Sequence, residues 1–163
     1  IFTDIAEEGK KLQTDMVDLN CRVLTRMTQM TLPWMGRGSR ILNLASAAAF
    51  CPQPGFAVYA ATKAYVLSFS RALGAELSNC GIYVTAVCPG PVDTEFFSVS
   101  GELKGAFKKL SLVKAPLVVH KALKDSRRKR PVSVYGVVMN AARAGAKIIP
   151  HGFIVKAEEL LAR

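Results

Sequence analysis

Tyr59 and Lys63 lie four residues apart. On a helix that spacing puts both side chains on one face, within reach of each other. An ammonium beside a phenol favours the phenolate and draws the tyrosine pKa down from its reference of about 10. A tyrosine tuned this way can give a proton to an alcohol oxygen, or take one from it, near neutral pH. Alone the pair is a weak signal, because an ordinary exposed helix pair has the same spacing. Its surroundings strengthen it. Ser46 ends an apolar run upstream and offers a hydroxyl that can donate to a substrate carbonyl. Pro89-Gly90 stops a second apolar run. Asn20 sits inside a helical pattern although asparagine is a poor helix former, so something other than propensity placed it there.

The elements that must position these groups follow from periodicity. Leu12, Met16, Leu19, Val23, Met27 and Met30 recur at three- and four-residue steps, which predicts a helix over 7–32 ended by Pro33 and the glycines at 36 and 38. Residues 40–45 are apolar on both alternate faces, as in a parallel strand covered on both sides. A helix follows over 57–79, with Phe69, Leu73 and Leu77 on one stripe and Asn79 and Gly81 closing it. A second buried-type strand covers 82–88. A looser stretch at 92–112, a helix over 116–124, a third strand over 132–138 and one or two short helices over 139–163 complete the chain. Helix, strand, helix, strand is half of a doubly wound α/β layout, so the fold class is a partial Rossmann-like parallel sheet in one domain. In such a sheet the carboxyl ends of the strands face the ligand crevice, which brings Ser46 and Pro89-Gly90 to one rim.

Composition excludes several classes. The chain has 163 residues, half of them hydrophobic, which is too apolar for a disordered chain and enough for a core. No apolar run reaches the roughly 20 residues that span a bilayer. The N-terminus lacks the basic-then-apolar layout of a secretion signal, so the sequence reads as cytoplasmic. Cys21, Cys51, Cys80 and Cys88 show no Cys-x-x-Cys pairing, and His120 and His151 stand apart, which predicts no metal site and reduced, mostly buried thiols. Lys and Arg number 22 against 12 Asp and Glu, a net charge of +10. The densest cations are Lys121, Lys124, Arg127, Arg128, Lys129 and Arg130. They read as a solvated helix end, with no aromatic residues interleaved as a single-strand nucleic-acid site would have.

Four runs, Asp18-Leu-Asn20, Asn43-Leu-Ala-Ser46, Tyr59-Ala-Ala-Thr-Lys63 and Pro89-Gly-Pro-Val-Asp-Thr94, resemble the short-chain dehydrogenase/reductase family in order and separation. The resemblance is close over about residues 1–97 and looser in the tail. Within the family it is most like ketoacyl reductase-like and hydroxysteroid dehydrogenase-like bacterial members. It implies an NAD(P)-dependent oxidoreductase, with NADP ahead of NAD, that interconverts an alcohol and a ketone. Tyr59 would be the general acid/base. Lys63 would lower its pKa and hold the nicotinamide ribose. Ser46 would polarise the substrate carbonyl, and Asn20 would interrupt its helix and anchor a water for proton return. Pro89, Gly90 and Val92 would fix the nicotinamide, with Thr94 on its amide or phosphate. Phe50, Phe56, Phe96 and Phe97 would face substrate, the last two in a lid at about 93–114.

The family's Gly-rich turn and the Asn-Ala-Gly motif of its fourth strand do not occur in this sequence. The resemblance therefore implies a C-terminal portion without the adenosine half of the cofactor site, inactive by itself, with the 41–45 strand edge unpaired and prone to aggregate. It also implies a homodimer or homotetramer, with Met16, Val23, Met27, Val66, Phe69 and Leu73 at helix contacts between subunits. No nucleic-acid partner is expected. The rival readings are a non-catalytic scaffold of the same fold, and a basic nucleic-acid-binding module acting through residues 121–130.

Overall fold

A computed structural model of the chain describes residues 7–93 and 112–161. The first helix is interrupted. Helix α1 (Glu7–Val17) passes through a π-turn, Asp18–Val23, into α2 (Leu24–Thr31). A 3₁₀ turn at Leu32–Trp34 ends it, because Pro33 fits a helix's first turn and cannot continue one. Strand β1 (Arg40–Leu44) leads through a 3₁₀ turn at Ala47–Phe50 into α3 (Ala57–Leu77). Gly81 then adopts φ 73°, the left-handed geometry that closes helices, and β2 (Tyr83–Val87) follows. Two-residue strands β3 (Val92–Asp93) and β4 (Val113–Lys114) precede α4 (Ala115–Arg127), β5 (Val132–Ser133), α5 (Val137–Ile148) and α6 (His151–Leu161).

Strands β1, β2 and β5 form one parallel sheet in that order, with Arg40 opposite Tyr83, Leu44 opposite Val87 and Ala86 opposite Val132. Both faces of β2 are covered. Alternate residues point to opposite faces. On one face Ala86 and Cys88 join Val66 of α3 and Met139 of α5. On the other Val87 meets Val118 and Ala122 of α4. Val66 is fully buried, a contribution of about 1.5–3 kcal/mol. Asn43 is buried too, and its amide donates to the Ser70 hydroxyl at 2.9 Å.

Beyond β1 no further strand is paired among the described residues, and Leu44 on that strand is 63% exposed. The apolar stripe of the first helix is open as well: Leu12, Leu19, Met27 and Met30 are exposed, while Asn20 and Thr28 lie on the inward side. Periodicity identifies a face that favours burial, and no described element covers it.

Several expectations need correction. The third strand is two residues long rather than 132–138, because Gly136 turns at φ 84° and helix α5 starts at Val137. The helical tail thus begins at 137, not 139. Val66 and Leu73 are buried within the chain and have no surface to offer another subunit. Only Cys88 of the four cysteines is buried. The 92–112 stretch is not wholly loose, since β3 and β4 pair in parallel, Val92 opposite Val113. Thr94, Phe96, Phe97 and most of the lid at 93–114 lie outside the described residues.

Candidate active site

The rim of the sheet is laced together just past the strand ends. Ala45 N–H donates to Val87 O and Ala47 N–H to Pro89 O, each at 2.8 Å, so the Ser46 backbone and the Pro89-Gly90 turn are held side by side. Ser46 is extended, and its hydroxyl oxygen accepts from Ala48 N–H at 3.2 Å, capping the Ala47–Phe50 turn. Helix α3 starts beside this turn. Phe56 precedes it and sets its ring edge-on to Tyr59, centroids 6.5 Å apart. The Lys63 ammonium lies 5.8 Å from the Tyr59 ring centroid and donates to Leu44 O at 3.0 Å. Tyr59 and Lys63 thus share a face, and the lysine anchors that face to the end of β1. Burial pulls the Lys63 pKa below its usual value, and nearby Cys21 partly offsets the effect.

Asn20 lies in the π-turn. Its amide donates to the Thr62 hydroxyl at 3.1 Å, and that hydroxyl donates to Tyr59 O at 2.9 Å. One hydrogen-bonded chain therefore runs from the helix interruption to the Tyr59 turn. π-turns of this kind recur at functional sites, where they re-aim a side chain.

Cys88, under the rim, is pushed up to about 11 by burial, against the pull of Arg143 and a backbone hydrogen bond from Ser46. At neutral pH it is a neutral packing group rather than a nucleophile. Helix α5 crosses here. A Cβ built on Gly90 would lie 2.6 Å from Met139 Sδ and 2.8 Å from its Cγ. Met139 is itself buried, so it has little room to yield. Gly90→Ala should therefore cost about 1–3 kcal/mol of stability, measured by urea unfolding. Parental stability in that variant would mean that Met139 repacks freely.

Of the residues expected at the site, Asn20, Ser46, Tyr59, Lys63, Pro89 and Gly90 are connected by the contacts above. Phe56 adjoins Tyr59 and is 39% exposed. Phe50 instead packs on the buried cluster around Val66. Val92 lies in β3, half-buried, against Val87 and its neighbours. Thr62, the Leu44 carbonyl and Met139 were not anticipated. Thr62 stands inside the Tyr59–Lys63 run, where a hydroxyl at i+3 of the tyrosine is a usable signal. Met139 has none, since its contact with Gly90 joins residues far apart in the chain.

Residues 2–104 match the family model described as short chain dehydrogenase, and the chain belongs to that family. Curated relatives include sulfoacetaldehyde reductase 2 of Chromohalobacter salexigens, 42% identical over 84 residues, which are 50% of this chain and 33% of that protein. The very-long-chain 3-oxoacyl-CoA reductase of Anas platyrhynchos is 38% identical over 101 residues, 61% of this chain and 32% of that protein. Among solved structures, a short-chain dehydrogenase of Sphingobium yanoikuyae in complex with NADPH superposes with a TM-score of 0.62 at 29% identity, covering 82% of this chain and 55% of that one. The chain thus spans about half the length of that solved relative, and its matched stretch about a third of the curated ones.

Proposed function

We propose that this chain supplies the catalytic part of an oxidoreductase that interconverts an alcohol and a ketone with a nicotinamide cofactor. The observation that carries the reading is the half-buried Lys63, joined to Tyr59 on one side and to the end of β1 on the other, at the rim where Ser46 meets Pro89-Gly90. The NADPH complex of the Sphingobium relative supports a nicotinamide cofactor, and NADP is proposed ahead of NAD. The donor set fits such a group. Lys63 and Tyr59 would hold its ribose hydroxyls, the backbone of Pro89, Gly90 and Val92 its carboxamide, and Thr94 its amide or phosphate. Bound there, the cofactor supplies or accepts the hydride.

The chain's own residues handle the oxygen and its proton. The Ser46 and Tyr59 hydroxyls hold the substrate carbonyl oxygen, with Phe56 beside it. Tyr59 Oη gives up its proton as charge develops on that oxygen. The ammonium of Lys63 stabilises the phenolate left behind. Asn20 holds the Tyr59 turn through Thr62, and the proton returns along this side of the site. The relatives named for aldehyde and oxoacyl reduction support a carbonyl substrate. A homo-oligomer remains part of the reading, with Met16, Val23, Met27 and Phe69 available for it. No described helix is long and apolar enough to cross a membrane.

Lys63→Met tests the assignment in an active protein containing this chain. Carbonyl reduction should fall by at least about a hundredfold. Stability should hold or rise, because the folded state no longer desolvates an ammonium. Undiminished turnover would end the proposal.

A further inference from the structure

The opposite end of the sheet carries a second concentration of functional groups. Each of the three turns that lead into the parallel strands brings polar side chains to the amino-terminal rim. Arg37 comes from the turn before β1, Arg40 and Tyr83 open β1 and β2, and Lys129 lies in the turn before β5. They converge on one ring: the Lys129 ammonium is 4.5 Å from the Tyr83 centroid and the Arg40 guanidinium 5.2 Å. Arg37 is held close by Gly81, where an added Cβ would lie 2.8 Å from the arginine Cγ.

Two features separate this cluster from a scatter of surface charge. First, Lys129 is the only described residue other than glycine with positive φ, at 58°. It closes α4, with its N–H on Ser126 O and that of Arg130 on Asp125 O, a position where glycine is the unstrained choice. A side chain retained at such a position, at a cost of roughly 1–2 kcal/mol, points to a use for that side chain. Second, the charges are uncompensated. Arg40 is occupied with the Ser126 carbonyl, and the nearby carboxylate, Asp125, is buried and engaged by Lys121, Ser133 and Arg130. Arg37 and Lys129 form no ion pair among the described residues. Among the described residues the charges acting on the Tyr83 phenol are cations; the hydrogen bond from Lys129 and the fields of Lys129, Arg37 and Arg40 bring its pKa below the usual tyrosine value. A fourfold-coordinating anion such as phosphate matches this set, with guanidinium and ammonium donors around it and a phenol O–H as a further donor.

We propose that Arg37, Tyr83 and Lys129 form an anion site at the amino-terminal rim of the sheet, one that takes a phosphate-bearing small molecule or headgroup. It is remote from the redox rim, since a five-residue strand separates the two ends by about 15 Å. It does not depend on the oxidoreductase reading.

The test is calorimetric titration of an active protein containing this chain, saturated with its nicotinamide cofactor, with inorganic pyrophosphate at low salt, and with vesicles containing a phosphoinositide as a second arm. Saturable binding to pyrophosphate supports a free phosphate ligand; binding to the vesicles alone supports a lipid headgroup. Lys129→Gly keeps the backbone geometry and removes the ammonium, so affinity should fall about tenfold while the unfolding temperature holds or rises. Arg37→Ala should act in the same direction. Affinity unchanged in both variants, no saturable binding in either arm, or tighter binding to duplex DNA that survives Lys129→Gly would each overturn the proposal.

Discussion

Tyr59→Phe, made in an active protein containing this chain, should lower the rate of carbonyl reduction by about a hundredfold to ten-thousandfold, the usual contribution of a positioned acid/base. The phenyl ring keeps its edge contact with Phe56 and its place above Lys63. Only the hydroxyl is lost. Lys63 and the Pro89-Gly90 backbone still hold the cofactor in the proposed reading, so its affinity should stay within a few-fold of the parent, and the loss should fall on kcat more than on KM. Steady-state kinetics with cofactor titration separates the two. A variant that loses cofactor binding along with rate would make the phenol chiefly a cofactor ligand, and a variant with full rate would remove Tyr59 from the chemistry.

Among the polar groups, the largest expected effect on stability comes from Asp125. Its side chain is 2% exposed, receives the Ser133 hydroxyl at 2.8 Å and the Lys121 ammonium, and lies 3.4 Å from Arg130. Burial alone would raise its pKa, but the hydrogen bonds from Lys121 and Ser133, with the charges of Lys121 and Arg130, hold it below the ordinary carboxylate value. Asp125→Ala should cost about 1–3 kcal/mol, because Ser133 is left buried without its acceptor. The cost stays below that of breaking a fully buried pair, since Lys121 and Arg130 can turn to water. The sign of the pH dependence is fixed. A carboxyl that titrates lower when folded stabilises the fold fully above its unfolded pKa of about 3.9. That stabilisation is lost as pH falls through the lower folded value. The gap between wild type and variant in urea unfolding should thus narrow from neutral pH to strongly acidic pH, and a gap that does not change with pH would remove the carboxylate's charge from the account.

The sequence made much of this fold legible where two signals coincided. The helix over 57–79 and its flanking strands were readable because apolar periodicity ended at Pro and Gly on both sides, and the observed α3, β1 and β2 fall within two residues of the expected bounds. The 132–138 run was overextended because valine content favours a strand, whereas the left-handed turn at Gly136 and the end of β2 decide where pairing stops. Val66 and Leu73 were placed at a subunit contact because α3 is apolar on several sides, and periodicity does not say which side meets the sheet. In the 121–130 run, the cations are solvated as read, but they concealed one acid, Asp125, which is buried beneath them. At the site, the residue types were legible and their links were not. The Asn20–Thr62 and Lys63–Leu44 contacts join residues distant in the chain, and no local pattern encodes them.

The stitching of Ala45 to Val87 and of Ala47 to Pro89 makes the Ser46 backbone and the cofactor-side turn a single stiff plate. On the proposed function, movement of substrate and product would fall to the parts that flank it, such as helix α5 with Met139 wedged on Gly90. Release can be slowed or quickened there while the spacing of the reacting groups is left untouched.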